Sequence, residues 1–318
     1  MNRGIVIGKF YPPHRGHKYL IESALAQVDE LTIIVCDKNG QKISGEQRAA
    51  WLREMTPRAR VIVVDDNLRE DDSRAWAEYT IEVLGYTPDI VFTSEGYGDA
   101  YAKFMGSSHV LIDKERKAVP VSATQIRQNP LEYWEYLDPC VRAYFAKRVC
   151  VLGAESTGTT TMALALAEHY QTVCVPELGR VYFEARMNKP DADEWHASEF
   201  LFIAQEQNRL EDQLARVCSK ILICDTNSFA TCFWQEAYMN FISDEVKEES
   251  RGRHYDIYLL TDIDIPFVQD GTRDEKRRED MHKKFFRELR GRHQEFILLS
   301  GSHEERLKKA IDVCDYIL

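Results

Sequence analysis

The sequence predicts an α/β fold with two domains, each built on a parallel sheet. Short, continuously apolar segments recur along the chain, and such segments are typical of strands buried on both faces of a parallel sheet. Segments with helical spacing of apolar residues separate them, as the crossovers of a parallel sheet require. Two of the predicted strands, 5–7 and 148–152, run into a glycine-rich turn that opens a helix. Because the first N–H groups of a helix have no partner within it, each half carries an anion-binding turn.

Length, charge and cysteine content limit the classes of protein to consider. A chain of 318 residues is long for one core and sufficient for two. Its formal charge of −11 argues against nucleic-acid binding through a broad basic surface, but not against nucleotide binding. Eight scattered cysteines without a C-x-x-C pair favour reduced thiols over a disulfide framework or a zinc site. With no signal peptide and no membrane-spanning apolar run, we expect a cytoplasmic protein that binds no membrane.

In the first half, strands and helices alternate in a simple order. The predicted strands are 5–7, 31–36, 61–64, 89–93 and 110–112. Helices are predicted after the first strand, over 46–55, through Trp76 and Thr80, and from Ser122 onwards. Ligands of parallel sheets bind beyond the carboxyl ends of the strands, where the turn 8–17 and the Ser122 segment both fall. The absence of G-x-G-x-x-G after the first strand makes a dinucleotide-binding dehydrogenase a poor fit.

The first turn has the sequence Gly8-Lys9-Phe10-Tyr11-Pro12-Pro13-His14-Arg15-Gly16-His17. His14 and His17 lie three residues apart, on one face of the first helical turn. They can donate hydrogen bonds to a triphosphate and to the charge that develops when its α-phosphorus is attacked. Gly16 keeps a side chain out of the space between them. The string His-x-Gly-His is by itself a weak signal, and two surface histidines at a helix start are the alternative.

In the second half, a helix is predicted over 131–146, followed by strands 148–152, 173–177, 221–225, 256–260 and 296–300. No Gly/Ser linker separates the halves, so we expect the domains to abut. The turn after 148–152 has the frame of a P-loop, whose backbone N–H groups form an anion nest. The expected ATP-binding residues are Gly153, Glu155, Ser156, Thr157, Gly158, Thr159 and Thr160. Thr160 has the position of the magnesium-binding hydroxyl, whereas Thr159 stands where the P-loop lysine belongs.

Two further segments support a kinase-like P-loop domain. Asp225 ends an apolar strand, where a carboxylate can hold phosphate-bound Mg²⁺; a helix cap is the alternative. The segment 270–273, followed by Lys276, Arg277 and Arg278, predicts a mobile basic lid, with a solvated helix face as the alternative. Because the P-loop lysine is missing, we expect Arg273 and Lys276 of this lid to supply ATP-binding charge, with Arg180 behind them.

The two halves together resemble the bifunctional nicotinamide-mononucleotide adenylyltransferase/ribosylnicotinamide kinase (NadR-like) family. The matching stretches are 8–17, 94–98, 122–127, 153–160, Pro176-Glu177 with Arg180, Asp225-Thr226 and 270–273. The resemblance implies a Rossmann-like nucleotidylyltransferase parallel sheet over 1–146 and a P-loop kinase-like parallel sheet over 147–318. Some members carry an N-terminal helix-turn-helix repressor domain. This chain starts directly at the catalytic strand, so we expect no repressor role.

In the resembling enzymes, G-x-F-x-P-x-H-x-G-H and I-S-x-T-x-x-R motifs grip the triphosphate of ATP. The resemblance therefore implies a first ATP site made of Gly8, Lys9, Phe10, His14, His17, Arg48, Ser122, Thr124 and Arg127. For Lys9 and Arg48, ordinary solvated charges remain the alternative. One of Trp51, Trp76, Tyr97 and Tyr101 is expected to stack on a nicotinamide or adenine ring.

The implied chemistry is NAD synthesis from ATP and nicotinamide mononucleotide, with Mg²⁺ on the triphosphate. The attacking phosphate is already an anion, so His14, His17 and Arg127 need only position groups and stabilise charge. In the implied kinase half, a hydroxyl of nicotinamide riboside must lose a proton, so a carboxylate is expected nearby. Glu177 and Asp225 are the candidates. We favour Asp225 with Thr160 for magnesium, and Glu177 with Arg180 for the riboside.

Two alternatives remain. Because Thr159 replaces the P-loop lysine, the sequence is also compatible with a single-activity adenylyltransferase whose P-loop half is a nucleotide-binding regulatory module. A flavin-type bifunctional enzyme shares the His-x-Gly-His motif but is disfavoured, because its kinase half is not a P-loop fold. The sequence leaves open whether the protein is a homo-oligomer, and whether it selects the amide or the acid mononucleotide.

Overall fold

The computed structural model describes residues 2–69, 71–187, 192, 194–269 and 275–318. The chain divides into two compact units, Met1–Arg142 and Ala143–Leu318. This boundary lies inside a short helix, whereas the division proposed from the sequence, after residue 146, lies between that helix and the next strand.

The first unit is built on a parallel sheet of five strands. They are β1 (Arg3–Gly8), β2 (Glu30–Asp37), β3 (Arg60–Asp65), β4 (Ile90–Thr93) and β5 (Ser108–Leu111). The strand order is β3-β2-β1-β4-β5, with Val6 of β1 opposite Ile33 on one side and Phe92 on the other. The order of the strands reverses between β1 and β4, and such a reversal is where parallel sheets bind ligands.

The helices of the first unit cover both faces of this sheet. They are α1 (Arg15–Leu25), α2 (Gly45–Met55), α3 (Ser73–Leu84), α4 (Gly98–Met105), α5 (Ala123–Gln128) and α6 (Pro139–Phe145). Val6 and Ile33 pack with α1 and α2, while their neighbours Ile5 and Ile34 pack with α3 and α4. Successive strand residues point to opposite faces, which explains why the predicted strands are continuously apolar.

The single helix predicted over 131–146 is wrong. The segment forms a 3₁₀ turn, Trp134–Tyr136, and then the separate helix α6. Between them Leu137 is extended, with φ −100° and ψ 135°. Pro139 contributes to the break, because proline has no amide hydrogen to donate to the carbonyl four residues earlier in a continuous helix.

The second unit is built on another parallel sheet of five strands. They are β6 (Lys147–Leu152), β7 (Cys174–Val175), β8 (Ile221–Asp225), β9 (Ile257–Thr261) and β10 (Phe296–Leu299), in the order β10-β9-β6-β8-β7. The strand predicted over 173–177 is shorter than expected, because Pro176 has no N–H group to continue the ladder. The parallel α/β architecture predicted for both halves is thus confirmed.

Seven helices surround the second sheet in the described part of the chain. They are α7 (Thr159–His169), α8 (Leu178–Arg186), α9 (Ala197–Ala215), α10 (Ser228–Met239), α11 (Asp244–Arg251), α12 (Glu275–Gly291) and α13 (His303–Ile317). Lys276, Arg277 and Arg278 of the predicted lid lie at the start of α12, while 270–273, including Arg273, lies outside the described residues. Among the described helices, none has the length and apolar composition needed to cross a bilayer.

Candidate active sites

The two histidines of the first turn lie in contact at the start of α1. His14 caps this helix, since its Nδ1 accepts a hydrogen bond from the Gly16 amide at 3.1 Å. A Cβ atom on Gly16 would lie 2.9 Å from the His14 ring, so the glycine leaves room for the cap. The centroids of the His14 and His17 rings are 3.8 Å apart, and Phe10 meets His17 edge-on at 5.0 Å.

Both imidazoles are neutral at physiological pH. Burial and the nearby charge of Arg116 lower the pKa of His14 to about 3. Burial lowers the pKa of His17 well below 6.5, and His14 and Arg116 lower it further. Because Nδ1 of His14 is an acceptor, its proton lies on Nε2, which is the donor it can offer to a ligand. Nδ1 of His17 is buried and has no hydrogen-bond partner among the described residues.

Arg127 connects the second motif to the first. Its guanidinium donates to the backbone carbonyl of Tyr11 and, at 2.9 Å, to the hydroxyl of Thr124. Ser122 caps α5, accepting from the Gln125 amide at 3.2 Å in a capping box. Arg127 therefore brings the two motifs together, while Ser122 and Thr124 stabilise the helix that carries it.

Arg48 is buried and held by the protein itself. Its Nε donates to the Ile43 carbonyl at 3.2 Å, and its Nη1 to the carbonyls of Cys36, at 3.1 Å, and Lys9. Its Nη2 donates to the Asp37 carboxylate at 2.5 Å. Each guanidinium nitrogen of Arg48 is thus engaged by the protein, and Arg48 positions Lys9 and the end of β2; the phosphate contact that the resemblance implies stays a prediction.

A cavity of about 610 Å³ opens beyond the carboxyl ends of β1 and β4. This volume is within the range of about 300–1,000 Å³ that is usual for small-molecule sites. Predicted site residues that line it are Gly8, Lys9, Phe10, His17 and Arg127, whereas His14, Arg48, Ser122 and Thr124 do not. Further lining residues include Tyr11, Gln41, Asp66, Trp76, Ser94, Glu95, Tyr97 and Tyr101. Trp51 is buried elsewhere, so Trp76, Tyr97 and Tyr101 remain as candidate stacking residues.

His109 holds the loop that follows β4 at one wall of this cavity. Its Nε2 lies 2.9 Å from the Thr93 hydroxyl, and its Nδ1 lies 2.6 Å from the Asp99 carboxylate. A Cβ atom on Gly98 would lie 2.1 Å from Nε2 of His109. The glycine at this position is therefore needed for the close approach of the imidazole, a contact that the sequence analysis did not anticipate.

The glycine-rich turn of the second unit leads from β6 into α7. A Cβ atom on Gly153 would lie 2.0 Å from the Thr261 hydroxyl, so no other residue fits there without a shift. Ser156 and Gly158 have positive φ angles of 59° and 84°. Thr157 is buried, with its hydroxyl 2.7 Å from that of Thr261. It closes the base of the loop and does not present its hydroxyl to a ligand.

Asp225 lies at the carboxyl end of β8, next to this loop, and is only 3% exposed. Burial raises the pKa of Asp225, although hydrogen bonds from Thr160 and Thr159 and the charge of Arg180 lower it. Its Oδ1 is buried without a hydrogen-bond partner among the described residues. The cap of α10 is Asn227, so the alternative role of Asp225 as a helix cap is wrong.

A magnesium ion fits this pair of side chains. Protein-bound Mg²⁺ takes oxygen ligands and uses one or two protein groups together with substrate phosphates. Asp225 offers a buried oxygen that lacks a partner among the described residues, and the neighbouring Thr160 side chain lowers the pKa of the same carboxyl. The metal ligands predicted from the sequence are thus brought together.

A second cavity, of about 190 Å³, extends from the P-loop to Glu177 and Arg180. Glu177 stands at the N-cap position of α8, and Gln207 fixes this turn by donating to the Pro176 carbonyl at 3.1 Å and accepting from the Leu178 amide at 2.9 Å. Of the predicted kinase-half residues, Gly153, Glu155, Ser156, Gly158, Thr159, Thr160, Glu177 and Arg180 line this cavity.

An aromatic cluster that the sequence analysis did not assign forms the far wall of the second cavity. Phe183 and Trp195 are stacked, with centroids 6.1 Å and planes 13° apart. Tyr238 lies 5.2 Å from the same Trp195 ring. Phe200 and Trp234 also line the cavity. These residues are separated along the chain, and no local pattern marks them as a group.

Each half of the chain is similar to a known family. The cytidylyltransferase-like family matches residues 5–129, and the AAA domain family matches residues 148–306, half of the chain. A nicotinamide-nucleotide adenylyltransferase from Thermococcus kodakarensis is 26% identical over 162 residues, 47% of this chain and 84% of its own length.

Two similarities extend over most of the chain. A crystal structure of NadR protein in complex with NR has a TM-score of 0.82 at 23% identity, covering 99% of this chain and 95% of that one. The trifunctional NAD biosynthesis/regulator protein NadR of Salmonella typhimurium is 30% identical over 295 residues, 86% of this chain and 72% of the relative. On this similarity the chain belongs to the NadR family.

Proposed function

We propose that this protein is an enzyme of NAD biosynthesis with two activities. The first unit transfers the adenylyl group of ATP to nicotinamide mononucleotide, giving NAD and pyrophosphate. The second unit phosphorylates nicotinamide riboside to that mononucleotide. The observation that carries the proposal is the meeting of His17, Arg127 and Lys9 in one cavity at the strand reversal of the first sheet. The names of the relatives, which refer to NAD biosynthesis and to nicotinamide-nucleotide adenylyl transfer, support it.

In the first reaction, a phosphate oxygen of the mononucleotide attacks the α-phosphorus of ATP, and the bond to pyrophosphate breaks. No general base is needed, because the nucleophile is already an anion. Catalysis then depends on donors aimed at the charge that develops on the α-phosphate. Neutral His17, the N-terminus of α1 and Arg127 supply such donors. Trp76 and Tyr97 offer aromatic faces to a base or a nicotinamide ring in the same cavity.

In the second reaction, the riboside hydroxyl attacks the γ-phosphorus of ATP and loses its proton, and the bond from that phosphorus to the bridging oxygen breaks, releasing ADP. Glu177 lines the cavity and is the proposed acceptor of that proton. Thr160 and Asp225 would hold Mg²⁺, which neutralises charge on the transferred phosphoryl group. The nicotinamide ring of the riboside is cationic, and the stacked faces of Phe183 and Trp195 are suited to such a ring.

The adenylyl transfer is tested by measuring NAD formation from ATP and nicotinamide mononucleotide by the purified full chain. We expect His17→Ala to lower kcat by about 10²–10³, as is typical for the loss of one donor to developing charge. His169→Ala, at an exposed position in the second unit, is the matched control and should change nothing. Near-normal turnover in His17→Ala would refute this assignment.

A second candidate function for the P-loop unit is regulation by bound nucleotide, favoured by Thr159 at the lysine position. It predicts that the wild type binds ATP at this unit but phosphorylates no riboside at any ATP concentration. The kinase proposal predicts riboside phosphorylation that Glu177→Gln abolishes while adenylyl transfer is retained. Measuring both activities in these two proteins separates the candidates.

A further inference from the structure

The P-loop of the second unit contains no cationic side chain. Between Gly153 and Thr160 there is no lysine or arginine, and Thr159 occupies the lysine position. The Thr159 side chain lies close enough to the Asp225 carboxyl to lower the pKa of that group. Phosphoryl transfer from ATP builds negative charge on the β- and γ-phosphates, and kinases place a cation there. A kinase with this loop needs that charge from another segment.

Arg278 of α12 brings a guanidinium to the loop. Its Nη2 donates to the Ser156 carbonyl at 3.2 Å and to the Ile265 carbonyl at 2.7 Å. The Phe267 ring lies under the same guanidinium, 5.8 Å from centroid to Cζ. Although 122 positions separate Arg278 from Ser156, the arginine is anchored on the backbone of the anion-binding turn.

The guanidinium of Arg278 retains a donor for a ligand. Its Nε is buried and has no hydrogen-bond partner among the described residues. A buried N–H group without an acceptor is costly, and a phosphate oxygen forms a strong, charge-assisted hydrogen bond with such a donor. The planar guanidinium also suits phosphate oxygens better than an ammonium does, because it presents several donors in one fork.

The other described cations near this site are engaged differently. Arg180 donates to Glu184 at 3.0 Å, and Arg277 lies over the Tyr238 ring at 4.8 Å. Arg306 also reaches the loop, donating to the Thr157 carbonyl at 2.9 Å, but it is buried and its Nη2 is paired with the Asp264 carboxylate. Arg278 thus combines an anchor on the loop with a donor that has no acceptor among the described residues.

We propose that Arg278 supplies, from α12, the positive charge that the P-loop lacks at Thr159, and that its guanidinium binds phosphate oxygens of the ATP held in the second unit. The inference rests on the proposed kinase function, but it concerns a single cation and can fail while that function stands. It adds Arg278 to Arg273, Lys276 and Arg180, the sources of this charge expected from the sequence.

The test compares riboside phosphorylation by the full-length wild type, Arg278→Ala and the double variant Arg278→Ala/Thr159→Lys. We expect Arg278→Ala to lower kcat/KM for ATP by about 10- to 100-fold, the effect of losing one charge-assisted hydrogen bond. A lysine at position 159 should restore most of this loss, since the charge then comes from the loop. Lys283→Ala removes an exposed cation from the same helix and should change nothing. Adenylyl transfer should be unaffected in all of these variants.

Unchanged riboside phosphorylation in Arg278→Ala overturns the inference and leaves the kinase function standing. A loss that Thr159→Lys does not restore also overturns it, because the arginine would then act only by anchoring α12. If the wild type phosphorylates no riboside, the kinase function fails. A titration with the magnesium complex of AMP-PNP then decides whether Arg278 binds the nucleotide. A second-site Kd that rises about tenfold in Arg278→Ala supports the inference, and an unchanged Kd overturns it.

Discussion

The imidazole rings of His14 and His17 stack at the start of α1, with centroids 3.8 Å and planes 30° apart. Two imidazolium ions at this distance would repel each other, and burial disfavours the charged form of each ring. The pKa of His14 is about 3, and that of His17 lies well below 6.5. The stacked pair therefore resists protonation, which has consequences for stability and for the proposed adenylyl transfer.

We expect acid to destabilise the first unit through this pair. The unfolded chain protonates both histidines near pH 6.5, whereas the folded chain protonates His14 only near pH 3. Between these values the unfolded state binds more protons, so the free energy of unfolding falls as the pH drops below about 6.5. The double variant His14→Asn/His17→Gln, in which asparagine keeps the helix cap, should lose less stability over this range. Imidazole NMR signals of either residue titrating near pH 6.5 would contradict this.

Replacing Arg48 should destabilise the first unit strongly. Arg48→Ala leaves the Asp37 carboxylate and several carbonyls without their donor, and we expect a loss of about 3 kcal/mol in the free energy of unfolding. Arg53→Ala, on the same helix, removes a half-exposed side chain 3.5 Å from exposed Glu46 and should cost less than about 0.5 kcal/mol. Scanning calorimetry of the two variants is the measurement. Equal changes in the unfolding temperature of Arg48→Ala and Arg53→Ala would contradict the hydrogen bonds described for Arg48.

The two glycines of the loop after β4 should respond differently to substitution. In Gly98→Ala the new methyl group would lie 2.1 Å from the His109 ring, and overpacking of this kind costs about 1–3 kcal/mol. In Gly96→Ala the nearest atom, Nζ of Lys114, would be 4.0 Å away, so little should change. Thermal unfolding and the KM for nicotinamide mononucleotide both report on this loop. The same methyl group would lie 2.6 Å from the Thr93 hydroxyl, so His109→Ala should rescue Gly98→Ala only in part; no rescue at all would show that the His109 contact is not the main one.

The two units should fold separately when the chain is cut between α6 and β6. Each sheet is covered by helices of its own unit, which is typical of an independent core. We expect fragments 1–146 and 147–318 to be folded by circular dichroism, and the first fragment to make NAD. A folded first fragment without this activity would mean that the proposed division is wrong.

Local sequence patterns are sufficient to predict the fold and the position of both anion-binding turns. Largely apolar runs such as 31–36 and 221–224 form interior strands of the two sheets, because burial on both faces disfavours polar residues in a strand. His14 and His17 meet because His14 caps the first turn of the helix that carries His17, a contact set by three residues of local chain. The break within 131–146 could also be predicted from the local sequence, since Pro139 disfavours a continuous helix there.

Contacts between distant segments required the folded chain. Arg48 and Arg278 are both arginines near a phosphate site in the sequence, yet one is enclosed by carbonyls and the other is anchored on a P-loop 122 positions away. The aromatic cluster around Trp195 likewise joins helices α8 and α10 across the second cavity. Periodicity determines which face of an element is buried, but not which side chain of another element it meets. That partner depends on how helices pack against their sheet, and therefore on the whole core.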